Sequence, residues 1–520
     1  MNHETRLTGC GCCGVSRRRF LASGCAACVS AVGLMGAPRR SRAQAAAKPR
    51  IRIVYSLHAE VQPGPDWPNV GFDFRPVMER ITNALVQGCP EYEFLTAMAN
   101  DEEQAQKILN EDASANIAGY IVYQMNCWNR VVQPIAASGK PVLYADFQYG
   151  GSGGFLVYTA GFLRQNTSNL GFVASSNLEH LIAAAKCFAP VIQSGDASEF
   201  SAAVARVRIS GTSMPGDLRC LPDPVEVLSV DDWKAQIAES KILAILDENA
   251  RPAAPVMGIA VEYIPFKELN DAWKAADLDE ARAIADHWQQ NAATIEDVPR
   301  KVIEQSAAMY LAEKAVLKKH NANAITINCL GGFYGGHIHA YPCLGFHELN
   351  NQGLVGGCEC DIRSAATMVA FTTLTKGRPG YISDPVIDTA KRQIIYAHCV
   401  ASNKVFGPDG KTNPYEILTH SEDRQGAAVR SIVPAGYMST SLEVSQENKE
   451  ILFHQAKVVG NDPDDRACRT KICAEPVGDI EKLFTEWDRW GWHRVTFYGD
   501  LKEPVFTLAD ALGWKVTQEA

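Results

Sequence analysis

From Arg50 onward, short apolar runs alternate with longer amphipathic stretches, and that rhythm narrows the possible folds more than any other feature. A strand covered on both faces reads as a continuous apolar run, and the crossover to the next parallel strand needs a helix. IRIVYSL (51–57), YEFLTAM (92–98), AGYIVYQM (118–125) and PVLYADF (141–147) read as strands, with FRPVMERITNALVQG (74–88) and DEEQAQKILNED as helices between them. This predicts a first open α/β domain over 46–195. VRIS, VEVLSV, the helix DDWKAQIAES, KILAILD and VMGIAVEYI open a second α/β domain over 196–370. It continues with mostly helix between Phe266 and Lys319 and a strand in ANAITINCL (322–330). QIIYAHCV, RSIVPAG and HRVTFYGD predict a mixed α/β or β-rich C-terminal domain over 371–520. The expected class is α/β, with two open Rossmann-like domains and a third domain after them.

Residues 1–45 stand outside that pattern. SRRRFL (16–21), a weakly apolar stretch from Ala22 to Pro38 and Ala43-Gln44-Ala45 follow one another in the order of a twin-arginine export signal. The twin-arginine translocase is then a partner, and the destination is the periplasm or another exported location. A retained basic anchor is the alternative, although the apolar run is short for a span. A net charge of -9, with no basic patch interleaved with aromatics, argues against a nucleic-acid partner. Cys468 and Cys473, in ACRTKICAE, are the pair best placed for a disulfide in an oxidising compartment. No C-x-x-C pair follows the leader, which argues against a thiolate zinc site.

The glycine-rich stretches GGSGGF (150–155) and GGFYGG (331–336) match neither a dinucleotide fingerprint nor a phosphate loop, and no G-x-S-x-G elbow is present. The carboxylates of LVGGCECDIRSAATM (354–368) are more informative. Asp361 precedes the helical pattern IRSAATMVAFTTLT and reads as its N-cap. Glu359 has no such role, and it falls at a strand end before a helix, where open α/β sheets carry functional groups. The glycines ahead of it are expected to let the backbone approach an ion or substrate.

The run from Ala322 to Asp384, with AITINCL, PCL, LNNQG, GGCECD and GRPGYISD, resembles the L-fucose isomerase / L-arabinose isomerase family. HCVASNKVFGP (398–408) and WHRVTFYGDLKEPVFTLADALGW (492–514) extend the resemblance over roughly the last 200 residues. The resemblance implies metal ligands at Glu359, Asp384 and His493. It also implies aldose–ketose isomerisation through an enediol, with Glu359 and Asp384 sharing acid and base work, and a homo-oligomer. Two carboxylates and an imidazole suit Mn²⁺ or another hard divalent cation. Export departs from the cytoplasmic habit of that family and leaves epimerase or lyase chemistry, or a periplasmic sugar-binding protein, as alternatives.

Three further residues are candidates for substrate contact: His398 at a strand end, Trp492 as a face for a sugar ring, and His339. His337 and His339, in GGHIHAYP, would point the same way on a strand, an arrangement that a metal hydrolase could use. His347, His420 and His454 stand at no telling spacing.

Overall fold

The computed structural model describes residues 47–247 and 249–520; the export-signal reading of 1–45 lies outside the described residues. Five strands form the first sheet: β1 (Arg50–Ser56), β2 (Glu93–Ala99), β3 (Ile117–Gln124), β4 (Val142–Asp146) and β5 (Leu170–Val173). All pair in parallel in the order β2-β1-β3-β4-β5. β4 and β5 are buried at every residue, as a strand with helices on both faces must be. The helix Arg75–Gly88 opens with Pro in its first turn and buries Ile81 and Leu85, while Asp101 caps Glu102–Asp112 by accepting from the Gln104 amide.

The second sheet contains β6 (Lys241–Leu246), β7 (Arg251–Val256) and β8 (Ile259–Pro265). After β9 (Thr294–Glu296), which pairs elsewhere, β10 (Ala324–Ile327) and β11 (Val355–Cys358) complete it. The order is β11-β10-β6-β8-β7, with β7 alone antiparallel. Met257 and Gly258 both hold positive φ (51° and 87°), as a two-residue hairpin between β7 and β8 demands. VMGIAVEYI, expected as one strand, is therefore the corner of a hairpin. Two other expectations fail. VRIS lies inside the helix Phe200–Gly211, and VEVLSV is irregular up to the helix Val230–Glu239. A four-residue apolar run cannot tell strand from helix by itself.

The last part is mostly antiparallel: β12 (Tyr381–Asp388), β13 (Gln393–His398), β14 (Tyr415–Leu418), β15 (Ala428–Ser431), β16 (Met438–Ser445), β17 (Glu450–Asn461), β18 (Thr470–Pro476), β19 (Arg494–Tyr498) and β20 (Lys515–Gln518), with β17–β20 and β14–β9 as its parallel pairings. The sheet runs β16-β19-β12-β13-β18-β17-β20, and a further β16–β17 pairing closes six of its strands into a barrel-like ring. A small sheet, β15-β14-β9, ties this region to the second one. Lys48–Ala520 pack as a single unit.

Cys468 and Cys473 are unlinked thiols, which corrects the expected disulfide. Cys473 lies inside β18, paired with Ile395, and an extended strand gains about 3.3 Å per residue, too much for a bridge to a cysteine outside its start. Of the glycines before Glu359, Gly356 serves packing. A Cβ at Gly356 would stand 2.7 Å from the Phe346 Cα, so this glycine lets β11 press against the helix Cys343–Asn351.

Candidate active site

Strand register assembles the centre. β12 pairs with β13 on one side, Asp384 opposite Ala397, and with β19 on the other, Ser383 opposite Arg494. Asp384 thus stands beside both His398, the next residue of β13, and His493, the residue just ahead of β19. Glu359 arrives from the end of β11 in the second sheet. Glu359 and Cys360 both adopt left-handed backbone (φ 64° and 53°), a conformation that non-glycine residues rarely hold outside sites that need it.

Ligating atoms of Glu359, Asp384, His398 and His493 all lie within 4.8 Å of one another. His493 Nε2 is 3.0 Å from Asp384 Oδ1 and 3.4 Å from Glu359 Oε2, and His398 Nε2 is 3.7 Å from Glu359 Oε1 and 3.9 Å from Asp384 Oδ2. Yet Asp384 Oδ1, His398 Nε2 and His493 Nε2 are buried without a hydrogen bond. Each orphaned group costs about 1–3 kcal/mol; a cation between Glu359, Asp384 Oδ1 and His493 Nε2 would satisfy two of the three and leave His398 Nε2 to another acceptor. These donors are compatible with a divalent ion.

The rings are held by opposite devices. His493 Nδ1 is 2.8 Å from Asp361 Oδ2; a carboxylate only accepts, so Nδ1 carries a proton, and Nε2 is the nitrogen that would give its lone pair to a cation once its own proton is displaced. Asp361 also caps the helix Ile362–Leu374, accepting from the Ser364 amide at 3.1 Å. Its place ahead of a helical pattern points to the capping role alone; the contact with His493 is invisible without the fold. His398 Nδ1 accepts the Cys399 amide at 3.0 Å, so the neutral ring carries its proton on Nε2, facing the carboxylates as a donor.

Charge follows from these contacts. Burial would raise Glu359, but the imidazole of His493, 3.4 Å away, helped by His398, holds it down at about 2. Burial prevails at Asp384 and lifts it, against His493 and His398. At His493 burial works downward, but Asp384, Asp361 and Glu359 together carry it well above its ordinary value. The two neighbouring carboxylates are thereby pushed in opposite directions.

A cleft of about 570 Å³ opens onto Glu359 and Asp384. Its opposite wall comes from loops after the first sheet's strands, including His58, Asp66, Asn100 and Trp128, so the carboxyl ends of both parallel sheets meet there. His58 and Asp66 pair at 2.8 Å. Trp492, expected to contact substrate, lines the cleft edge-on to Trp128, ring centroids 6.2 Å apart; Trp490 is buried. Glu422 also lines it, receiving the Tyr334 hydroxyl at 2.7 Å, and burial, opposed by His420 and Tyr334, lifts it to about 7. Neither Glu422 nor the residues from the first sheet carried a motif.

His339 does not join them: it is exposed against Trp273 and absent from the lining of the cleft. His337, also exposed, stacks on Phe266. The pair sits in an irregular segment, not on a strand, and belongs to no metal-capable cluster among the described residues. That removes the basis for a hydrolase built on them.

The chain resembles sugar isomerases over about half its length. A 264-residue stretch is 24% identical to a sulfoquinovose isomerase of Clostridium sp. (strain MSTE9), covering 49% of this chain and 57% of that protein. A 100-residue stretch is 26% identical to a sulfoquinovose isomerase of Alkalicoccus urumqiensis, covering 19% of this chain and 22% of that one. The chain thus spans little more than half the length of the first relative and about a fifth of the second. No family model matches it. Among solved structures, the XylFII-LytSN complex covers 56% of this chain and 85% of its own at 13% identity, with a TM-score of 0.15, too low to bear on the fold.

Proposed function

We propose that this protein is a divalent-metal-dependent sugar isomerase that interconverts an aldose and a ketose in the cleft above Glu359. The convergence of Glu359, Asp384 and the Nε2 lone pair of His493 carries the reading, and similarity to sugar isomerases supports it. Glu359, Asp384 and His493 would hold Mn²⁺ or a similar cation, which supplies positive charge for the oxygen that becomes negative as the enediol forms. Glu359 is ionised and reaches the cleft with 29% of its side chain exposed, so it is the proposed base for the proton on the carbon beside the carbonyl. Asp384 returns a proton one carbon over, and the Nε2–H of His398 steadies a substrate oxygen. Trp492 and Trp128 offer apolar faces to the ring.

None of the described lining residues is Lys or Arg, and the carboxylates are Asp66, Glu359, Asp384 and Glu422. An uncharged aldose suits that lining better than a sulfonated sugar, which would meet like charge. Residues 1–45 are read as a twin-arginine signal for export to the periplasm, and the protein as a homo-oligomer.

The test is a screen of neutral and sulfonated aldoses and ketoses with manganese-loaded protein, repeated on Glu359→Gln. The reading expects turnover of a neutral sugar by the wild type and none by the variant, with both melting alike. Full activity in Glu359→Gln would refute it.

A further inference from the structure

One residue beyond His398 begins a second cluster of ligating side chains. Cys399 leaves β13 and Cys468 lies just ahead of β18; because His398 pairs with Thr470, the two cysteines stand diagonally across the end of the same strand pair. His420 comes from the loop after β14. The two Sγ atoms and a ring nitrogen of His420 all lie within 4.8 Å of one another, and the three residues are only 2%, 5% and 4% exposed. The sequence offers no hint of this, since no C-x-x-C spacing is involved and three separate segments contribute.

The surroundings supply hydrogen-bond donors to both sulfurs and a carboxylate beside the ring. The Ser421 hydroxyl donates to Cys468 Sγ at 3.5 Å, and the Arg469 amide hydrogen-bonds Cys399. His420 Nδ1 faces Asp423 Oδ1 at 3.5 Å but is buried without a hydrogen bond. Asp423 is fixed in turn by the Tyr341 hydroxyl, and Phe333 and Tyr341 flank the imidazole. A carboxylate beside a histidine that has a ring nitrogen within 4.8 Å of two sulfurs is a usual arrangement around a bound cation.

We propose that Cys399, His420 and Cys468 form a buried site for a thiophilic divalent cation of the zinc class, separate from the Glu359–Asp384–His493 centre. Two thiolates and a neutral imidazole balance a dication, so the complex is uncharged where an unpaired ion would be costly. Sulfur and nitrogen donors select zinc over manganese, whereas the carboxylates of the first centre prefer the harder ion. On binding, each thiol releases its proton to solvent, and no electrons are transferred. The bound ion would pin the ends of β13 and β18 to the loop after β14. It would thereby hold His398 in place without touching substrate.

The test reads metal, not turnover, and so stands apart from the isomerase reading. Full-length protein purified from cells supplied with zinc and manganese is analysed for both elements, and its zinc-edge X-ray absorption is recorded. About one zinc per chain with two sulfur neighbours and an imidazole is expected. Cys468→Ser should lose the zinc and keep its manganese. Cobalt-loaded wild type should show thiolate charge-transfer and tetrahedral visible bands that Cys399→Ser lacks. The absorption measurement needs only wild type and decides the matter even if the variants do not fold. Zinc-free protein with free thiols, a zinc shell of only oxygen and nitrogen, or a Cys399–Cys468 disulfide in a non-reducing peptide map would each overturn the proposal.

Discussion

His493 gives its Nδ1 proton to Asp361 at 2.8 Å, and this bond alone decides which nitrogen faces Glu359 and Asp384. Asp361→Asn keeps a cap for the Ser364 amide but replaces an obligatory acceptor with a group that also donates. The ring loses its fixed tautomer. Manganese affinity should fall about 10–100-fold, as when other partners of a ligating histidine are removed, while the melting temperature changes little. Titration calorimetry beside thermal unfolding checks both halves. Unchanged affinity would mean that Asp361 is only a helix cap.

Glu443 is a carboxyl that folding keeps protonated. It is buried, accepts the hydroxyls of Ser364 and Thr367, each at 3.1 Å, and is pushed up to about 8, chiefly by burial and then by the charge of Asp361. Its folded pKa exceeds the unfolded value near 4.5, so the folded state binds the extra proton between those limits. The stability it contributes is complete below about 4.5 and is lost as pH rises through 8. Glu443→Gln cannot ionise. The difference in unfolding free energy between wild type and variant should therefore change with a slope of up to about 1.4 kcal/mol per pH unit in that window. Urea unfolding at several pH values measures it, and parallel curves would contradict the assignment.

Arg494, next in sequence to His493, forms an ion pair with Glu519 at 2.6 Å in which both side chains are fully buried. Burial alone would raise Glu519, but Arg494 and His454 hold it down at about 2. Glu519→Gln strands a buried guanidinium and should cost about 3–5 kcal/mol in chemical unfolding. A loss below 1 kcal/mol would show that water or another acceptor reaches Arg494.

Much of this architecture was legible because each layer leaves a periodic trace. The buried runs of β1, β3 and β4 read directly as central strands, and Asp361 was placed as an N-cap from its position alone. Glu359 stood out as a carboxylate lacking a structural role, and Asp384 and His493 came only through a family resemblance. What stayed hidden depends on register or on loops. VRIS and VEVLSV were too short for periodicity to decide their state. The diagonal of Cys399 and Cys468 exists only once β13 pairs with β18, and Cys473, nearer in sequence, was a false partner. His58, Asp66 and Trp128 reach the cleft because loops of the first sheet face the second, which no local pattern encodes.

His398 and His493 lie side by side, ring centroids 5.9 Å apart, and their opposite tautomers predict opposite losses. With Nδ1–H held by Asp361, His493 would turn the Nε2 lone pair to a cation that displaces its second proton. His398 accepts the Cys399 amide on Nδ1, so its Nε2 holds a proton and serves a substrate oxygen instead. His493→Asn should therefore lose manganese. His398→Asn should keep it and lose kcat, by about 10²–10⁴-fold if the histidine donates in the transition state, with a much smaller change in KM. Metal analysis of both variants beside steady-state kinetics separates the roles. Equal loss of metal in the two would place His398 among the ligands and refute the tautomer drawn from its backbone contact.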